Sequence, residues 1–314
     1  MWVSALVSPS WLRARIAQCC VLDATWYLPS VGRDARLEFT KARIPDSIRF
    51  DIDEVADPET SLPHMLPRSA EAFQQALQRL GIRPRTADPA ETAIVCYSRN
   101  GAFIASARVW WTFRAFGFDR VFVLDGGFKA WLDAGYEIEA GEPRPNRENG
   151  ECSAQAGSFP VGFRRDLLCS LTEIREYIRG VRAMQLMDAR PRGRFHGIEP
   201  EPRPGLRRGH IPGARSIPYE TLICNEGYSL RPPDELRRIF SSHIRHAALG
   251  TTMSIDGGAE APLIASCGSG VTAAVVALAL HELGVPDCAI YDGSWTEYGA
   301  LADMPLETTQ EPPV

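Results

Sequence analysis

The sequence predicts an α/β protein made of two similar halves, each a parallel sheet flanked by helices. Three observations predict it. The first is an internal repeat. Cys20-Val21-Leu22-Asp23-Ala24-Thr25 is echoed by Gln185-Leu186-Met187-Asp188-Ala189-Arg190. Ile44-Pro45-Asp46-Ser47 is echoed by Ile211-Pro212-Gly213-Ala214, and Val123-Leu124-Asp125-Gly126-Gly127-Phe128 by Ile290-Tyr291-Asp292-Gly293-Ser294-Trp295. The offsets are 165, 167 and 167, so three separate blocks keep one register. The second is the pair of short apolar runs Ile94-Val95-Cys96 and Leu263-Ile264-Ala265, the mark of strands buried on both faces. The third is alternation: each run is followed by a glycine-bearing loop and then a helical stretch.

Taken in chain order, Ser8-Pro9-Ser10-Trp11-Leu12 reads as a helix start. The apolar N-terminus lacks a cationic region and a small-residue cleavage site, so no secretory signal is expected and the expected compartment is the cytoplasm. A helix is expected over 104–116, closed by Gly117, and its counterpart over 272–283, closed by Gly284 with Pro286 beyond. Between the halves, 141–157 is rich in Gly, Pro, Asn, Glu and Arg without apolar periodicity. The expected domains are therefore 1–143 and 160–314, with 144–159 as linker.

Bulk composition narrows the function. With 314 residues, 45% hydrophobic and 23% charged, the chain has room for two ordinary globular domains. A formal net charge of −5 argues against a nucleic-acid binder, and no apolar run approaches the ~20 residues that cross a bilayer. The eight cysteines (Cys19, Cys20, Cys96, Cys152, Cys169, Cys224, Cys267 and Cys288) include no Cys-x-x-Cys pair for zinc or dithiol chemistry. Most are expected to be buried, inert thiols.

Cys267 stands apart because of its neighbours in Ser266-Cys267-Gly268-Ser269-Gly270-Val271-Thr272-Ala273. It lies just beyond the carboxyl end of a predicted parallel strand, where open α/β sheets hold ligands. Two glycines let the loop turn its N–H groups inward, and the helix starting near Thr272 aims its positive end at the same point. Together these favour an anion, first of all the thiolate of Cys267, a nucleophile that can also carry a charged sulfur. A structural strand-end cysteine is the bland alternative. Gly268-x-Gly270-x-x-Ala273 with Asp292 downstream also matches a dinucleotide fingerprint, but too little chain remains for the rest of such a sheet. A cysteine phosphatase would need an arginine where Ala273 and Ala274 stand.

With these residues in view, the chain resembles the tandem-rhodanese sulfurtransferases, and within them the 3-mercaptopyruvate sulfurtransferases. Beside the Cys267 loop, the resemblance covers Val21-Leu22-Asp23-Ala24, Phe50-Asp51-Ile52-Asp53, His64-Met65-Leu66-Pro67, Arg108-Val109-Trp110-Trp111 and Arg208-Gly209-His210-Ile211-Pro212-Gly213-Ala214, nearly the whole chain. The fold it implies is two tandem rhodanese-like domains. Thiosulfate-preferring members carry Arg and Lys after the cysteine, where this chain has Gly268 and Ser269.

The resemblance implies that Arg190 and Arg194 hold the substrate carboxylate and carbonyl. It also places His64 and Asp53 near Ser269, as a candidate Ser–His–Asp relay. The backbone of Gly268, Gly270, Val271 and Thr272 would steady the sulfur on Cys267. The implied reaction moves sulfur from 3-mercaptopyruvate through a Cys267 persulfide to a thioredoxin-type protein, a small thiol or cyanide, without metal or cofactor. A thiosulfate:cyanide sulfurtransferase and a non-enzymatic sulfur carrier are the rival readings. His243 and His246, at metal-like spacing, are read as a solvated helix face, and His210 as ordering a turn. In the first half, aligning Gly101 with Gly270 puts Ser98 opposite Cys267, so that domain is expected to be non-catalytic.

Overall fold

The computed structural model describes residues 3–99, 103–142, 158–224, 229–251 and 261–308. The first half runs β1 (Leu6–Val7), α1 (Pro9–Arg15), β2 (Cys19–Asp23), α2 (Ala35–Lys41), β3 (Ile48–Arg49) and α3 (Ile52–Val55). It continues through α4 (Ala70–Arg79), β4 (Ala93–Tyr97), α5 (Ile104–Ala115), β5 (Val121–Leu124) and α6 (Gly127–Asp133). The second half runs β6 (Leu168–Cys169), α7 (Leu171–Ile178), β7 (Gln185–Asp188), α8 (Arg192–Phe195) and β8 (Arg215–Ser216). Then come α9 (Pro233–Ser241), β9 (Leu263–Ser266), α10 (Ala273–Glu282), β10 (Ala289–Tyr291) and α11 (Ser294–Tyr298).

Each half forms a five-stranded sheet, ordered β1-β5-β4-β2-β3 and β6-β10-β9-β7-β8. The two orders are the same order written twice, and every pairing between these strands is parallel. The expected strands and helices fall where the repeat puts them. Ser8 caps α1 by accepting the Trp11 N–H, and both Gly117 and Gly284 take the left-handed conformation just past their helices. Of the expected linker only 158 and 159 lie within the described residues. There Phe159 packs on Phe118 with ring centroids 5.2 Å apart.

Strand alternation sorts the side chains into layers. Cys20 and Leu22 of β2, Ile94 and Cys96 of β4, and Leu263 and Ala265 of β9 face one core that runs through both halves. Cys19, Val21, Val95 and Tyr97 face a smaller core in the first half, and Ile264 and Tyr291 one in the second. The shared core is filled by α5 and α10. All of α5 after Ile104 is buried, and eight successive residues of α10 are buried. Neither helix has a polar face to offer water, so each must be covered on all sides. Each fully buried Val or Leu contributes about 1.5–3 kcal/mol relative to exposure. No helix of the described residues is long and apolar enough to cross a membrane.

Candidate active site

Cys267 follows β9 directly and is 2% exposed. Its loop is strapped to the segment after β10. The Ser294 hydroxyl accepts the N–H of Cys267 at 3.2 Å and of Gly270 at 3.1 Å, and donates to the Tyr291 carbonyl at 2.7 Å. Trp295 N–H donates to the Cys267 carbonyl at 3.0 Å. Thr296 donates to the Gly268 carbonyl from its N–H at 2.9 Å and its hydroxyl at 2.6 Å. Gly270 has φ +76°, and a Cβ there would lie 2.8 Å from Arg108 Nη1 and 2.9 Å from Asp292 Oδ1. Only glycine fits that bend. The N–H groups of Gly268, Ser269, Val271 and Thr272 have no hydrogen-bond partner among the described residues, whereas that of Gly270, expected to help steady the sulfur, is taken by Ser294. They are the unspent donors of an anion cradle.

The other thiols behave as the sequence leads one to expect. Burial pushes Cys19 and Cys20 up to about 11, and Cys169 and Cys288 up to about 12. Cys96 is pushed well above the usual thiol range by burial and by neighbouring Cys20. Cys152 lies outside the described residues.

The arginines divide differently from the expectation. Arg190 is 1% exposed and its donors are spent within the protein. Its Nε and Nη2 grip the Asp188 carboxylate at 2.6–3.1 Å, Nη1 donates to Glu201 Oε1 at 2.8 Å, and Nη2 also to the Gly209 carbonyl at 2.8 Å. Stacked 4.3 Å over the Trp295 ring, it holds the floor of the site and has no free fork for a substrate carboxylate. The expected substrate contact at Arg190 is thereby corrected. Arg194, on α8, bonds the other oxygen of Glu201 and keeps part of its side chain in the open. A Cβ on Gly268 would lie 3.0 Å from Arg194 Nη2, so this guanidinium stands against the loop itself. Arg203 joins it there. Burial lowers its guanidinium, the charge of Cys267 opposes this, Arg194 adds to it, and Asp53 and Glu201 oppose it.

On the first-domain side, His64 Nδ1 lies 2.7 Å from Asp53 Oδ1, a close contact off the axis of the N–H bond. Trp26 Nε1 donates to Asp53 Oδ2 at 2.7 Å. The His64 contact holds the Asp53 carboxyl below the usual range; burial opposes it, and Trp26 and the charge of Arg203 add to it. His64 sits at φ 63°, in left-handed backbone that a non-glycine residue adopts at a cost. Its Nε2 faces Arg203 Nη2 at 3.4 Å. No hydrogen bond joins it to Ser269 among the described residues, so the expected relay has its Asp53–His64 half and lacks its Ser269 link.

The first half has a serine where the second has Cys267. Phe128 N–H donates to the Ser98 carbonyl at 3.0 Å, the bond that Trp295 makes to Cys267, so Ser98 does stand opposite Cys267. Arg99 fills the space beside it, donating to Asp23 at 3.2 Å and stacking 4.0 Å over Phe128. His210 stacks on Phe195 at 3.8 Å and bonds its carbonyl at 2.9 Å, pinning that turn. His243 Nδ1 bonds the Ile239 carbonyl, and His246 accepts the Ala248 N–H, so both rings serve the backbone around α9. The sequence reading missed Ser294, Glu201 and Arg203. A serine where the other copy has Gly127 was the available signal for Ser294; Glu201 and Arg203 sit in a proline-rich run with no pattern to mark them.

Known proteins share this two-domain architecture. A model of the rhodanese-like domain matches residues 8–134 and 170–301. A 3-mercaptopyruvate sulfurtransferase of Homo sapiens is 40% identical over 305 residues, covering 94% of this chain and 91% of its own. Thiosulfate/3-mercaptopyruvate sulfurtransferase 1, mitochondrial, of Arabidopsis thaliana is 37% identical over 97% of this chain and 78% of its own. The crystal structure of the 3-mercaptopyruvate sulfotransferase SseA from Escherichia coli superposes with a TM-score of 0.73 at 33% identity, covering 93% of this chain and 99% of that one. Two matched domains, two sheets of one topology and relatives aligned over nearly their whole length make this chain a member of the rhodanese family, with two rhodanese-like domains in tandem.

Proposed function

We propose that this protein is a 3-mercaptopyruvate sulfurtransferase whose nucleophile is Cys267. The observation that carries the reading is the row of unspent N–H groups in the Cys267 loop, with Arg194 standing against Gly268 and Arg203 facing His64, both brought from a separate segment. In the first half-reaction the Cys267 thiolate attacks the sulfur of 3-mercaptopyruvate. The sulfur–carbon bond breaks, its electron pair leaves as the enolate of pyruvate, and solvent protonates that carbon. Arg194 and Arg203 grip the carboxylate and carbonyl and spread the developing charge. The N–H groups of Ser269, Val271 and Thr272 hold the new persulfide. In the second half-reaction a thiol, such as a thioredoxin-type protein or a small thiol, or cyanide, takes the outer sulfur and the thiolate returns.

Gly268 and Ser269 place no cationic side chain in the loop for a dianionic donor, which favours 3-mercaptopyruvate over thiosulfate. We place the domain boundaries at 1–143 and 160–314, the first domain contributing His64, Asp53 and Trp26 as one wall. Seven free thiols among the described residues suit a reducing compartment, and the cytoplasm is the compartment proposed. The test is intact-protein mass after brief exposure to 3-mercaptopyruvate. One added sulfur and one pyruvate per chain are expected on wild type, and neither on Cys267→Ser. Uptake from thiosulfate alone would transfer the assignment to that donor; no uptake from either would leave a carrier or binding module.

A further inference from the structure

Arg108 is 1% exposed, yet it lies in α5 of the first domain, on the half without the nucleophile. Its guanidinium crosses into the second half. Nη1 donates to Asp292 Oδ1 at 2.6 Å and to the Gly270 carbonyl at 3.2 Å, while Nη2 donates to the His64 carbonyl. The second oxygen of Asp292 accepts the Leu66 N–H at 2.8 Å. One cation thus ties together the bend of the Cys267 loop, the backbone of the strained His64 and the carboxylate that begins the Ser294 strap. Its face lies 4.7 Å over the Trp111 ring, so the plane of the fork is set from behind as well.

The repeat shows that this link was not simply inherited by both copies. The mate of Asp292 in the first half is Asp125, and one of its oxygens, Oδ1, is buried with no hydrogen-bond partner among the described residues. At the offset of 169 that sets Ser98 opposite Cys267 and α5 opposite α10, the mate of Arg108 is Ala277, which cannot reach across as Arg108 does. Among the described residues, the domain without a nucleophile has the carboxylate and no arginine bonded to it. The domain with the nucleophile has both.

From this we infer that Arg108 is a positioning residue for sulfur transfer, through which the first domain sets the geometry of the Cys267 loop and of His64 together. The assignment rests on Cys267 being the nucleophile. It does not depend on which sulfur donor is used. Lysine can keep the charge beside Asp292 but cannot present three fixed donors at once.

The test uses the full chain with two variants, Arg108→Lys and the charge-neutral pair Arg108→Met with Asp292→Asn, which leaves no buried charge unpaired. Two readouts are taken: the rate of iodoacetamide alkylation at Cys267 across pH without any donor, and kcat and KM with 3-mercaptopyruvate. Misplacing a reacting group by about 1 Å is worth up to ~100-fold. The expected result is alkylation slowed roughly tenfold with a displaced pH profile, and kcat down roughly 10- to 100-fold, in variants that keep the native near-UV spectrum. KM is expected to stay within about threefold, because Arg194 and Arg203 are untouched. An unmoved alkylation profile in either folded variant overturns the assignment, as does a loss confined to KM. Failure of both variants to fold would make Arg108 a determinant of the fold and also overturn it. If wild type takes no sulfur from 3-mercaptopyruvate yet the alkylation difference is present, the donor reading fails and the positioning role stands.

Discussion

Arg203 and Arg190 make opposite predictions although both are arginines within reach of Glu201 or its neighbours. Among the described residues Arg203 bonds only the His64 ring, at 3.4 Å, so its fork is available to a substrate. Arg203→Met is expected to lower kcat/KM for 3-mercaptopyruvate by roughly 10- to 100-fold, the equivalent of a charge-assisted hydrogen bond of about 1.5–3 kcal/mol. The melting temperature should hold. Arg190→Met should do the reverse, since it leaves the buried carboxylates of Asp188 and Glu201 without their partner. Steady-state kinetics and thermal melts on the two variants separate the roles; a stable Arg190→Met with a selective donor defect would restore Arg190 to the substrate. The sequence could not distinguish them. Asp188-Ala189-Arg190 has a repeat mate and a recognisable motif, and Arg203 has neither. What decides the matter is which guanidinium is already saturated, and that depends on Glu201 folding back from a loop.

The Ser294 strap shows how a short element, here the turn into α11, carries a functional constraint. Ser294 stands at φ 49°, and its mate Gly127 holds φ 57° without penalty. The second copy therefore keeps a side chain in a glycine conformation, with a hydroxyl that accepts two N–H groups of the Cys267 loop. Ser294→Ala and Ser294→Gly should slow pyruvate release in a single turnover to the same degree, because both lose that hydroxyl. Ser294→Gly should nevertheless be the more stable by about 1 kcal/mol in urea, having relaxed the backbone. A glycine variant with near wild-type chemistry would remove the strap from the mechanism. The elements themselves were legible because their signals are local: the apolar runs of β4 and β9, the Ser8 cap, the glycine stops. The relay was not, since whether His64 meets Ser269 or Arg203 depends on how two separately folded loops face each other.

At the scale of the molecule, the halves are joined at the core and also latched at their rim. The first strand's approach, Val3 to Ala5, lies along the end of α10. Glu282 accepts the Ala5 N–H at 2.7 Å and the Ser4 hydroxyl at 2.8 Å, while His281 Nε2 meets the Val3 carbonyl at 3.1 Å and Nδ1 meets Arg114 at 2.8 Å. Burial, with Arg114 adding to it, lowers His281 to about 4. A histidine held neutral in the fold contributes stability that is full above its unfolded value of about 6.5 and is lost as pH falls from there through the folded value. Between pH 6.5 and pH 5 the loss from this group is about 1.5 kcal/mol. Urea midpoints across that window should drop more steeply for wild type than for His281→Gln, and parallel curves would clear His281 of the effect. The repeat announced two halves of one fold but said nothing of this latch, because Arg165, Asp166 and Leu167, which precede β6 as Val3, Ser4 and Ala5 precede β1, repeat none of their residue types.

The two apolar helices at the centre bear on how the chain tolerates change. α5 reaches the Cys267 loop through Arg108, and α10 begins just after that loop, yet both are buried against a common core. Random substitution would therefore be rejected about as often along 104–115 as along 273–282. The half with Ser98 opposite Cys267 is thus held in its packing as tightly as the other, because the two share one core.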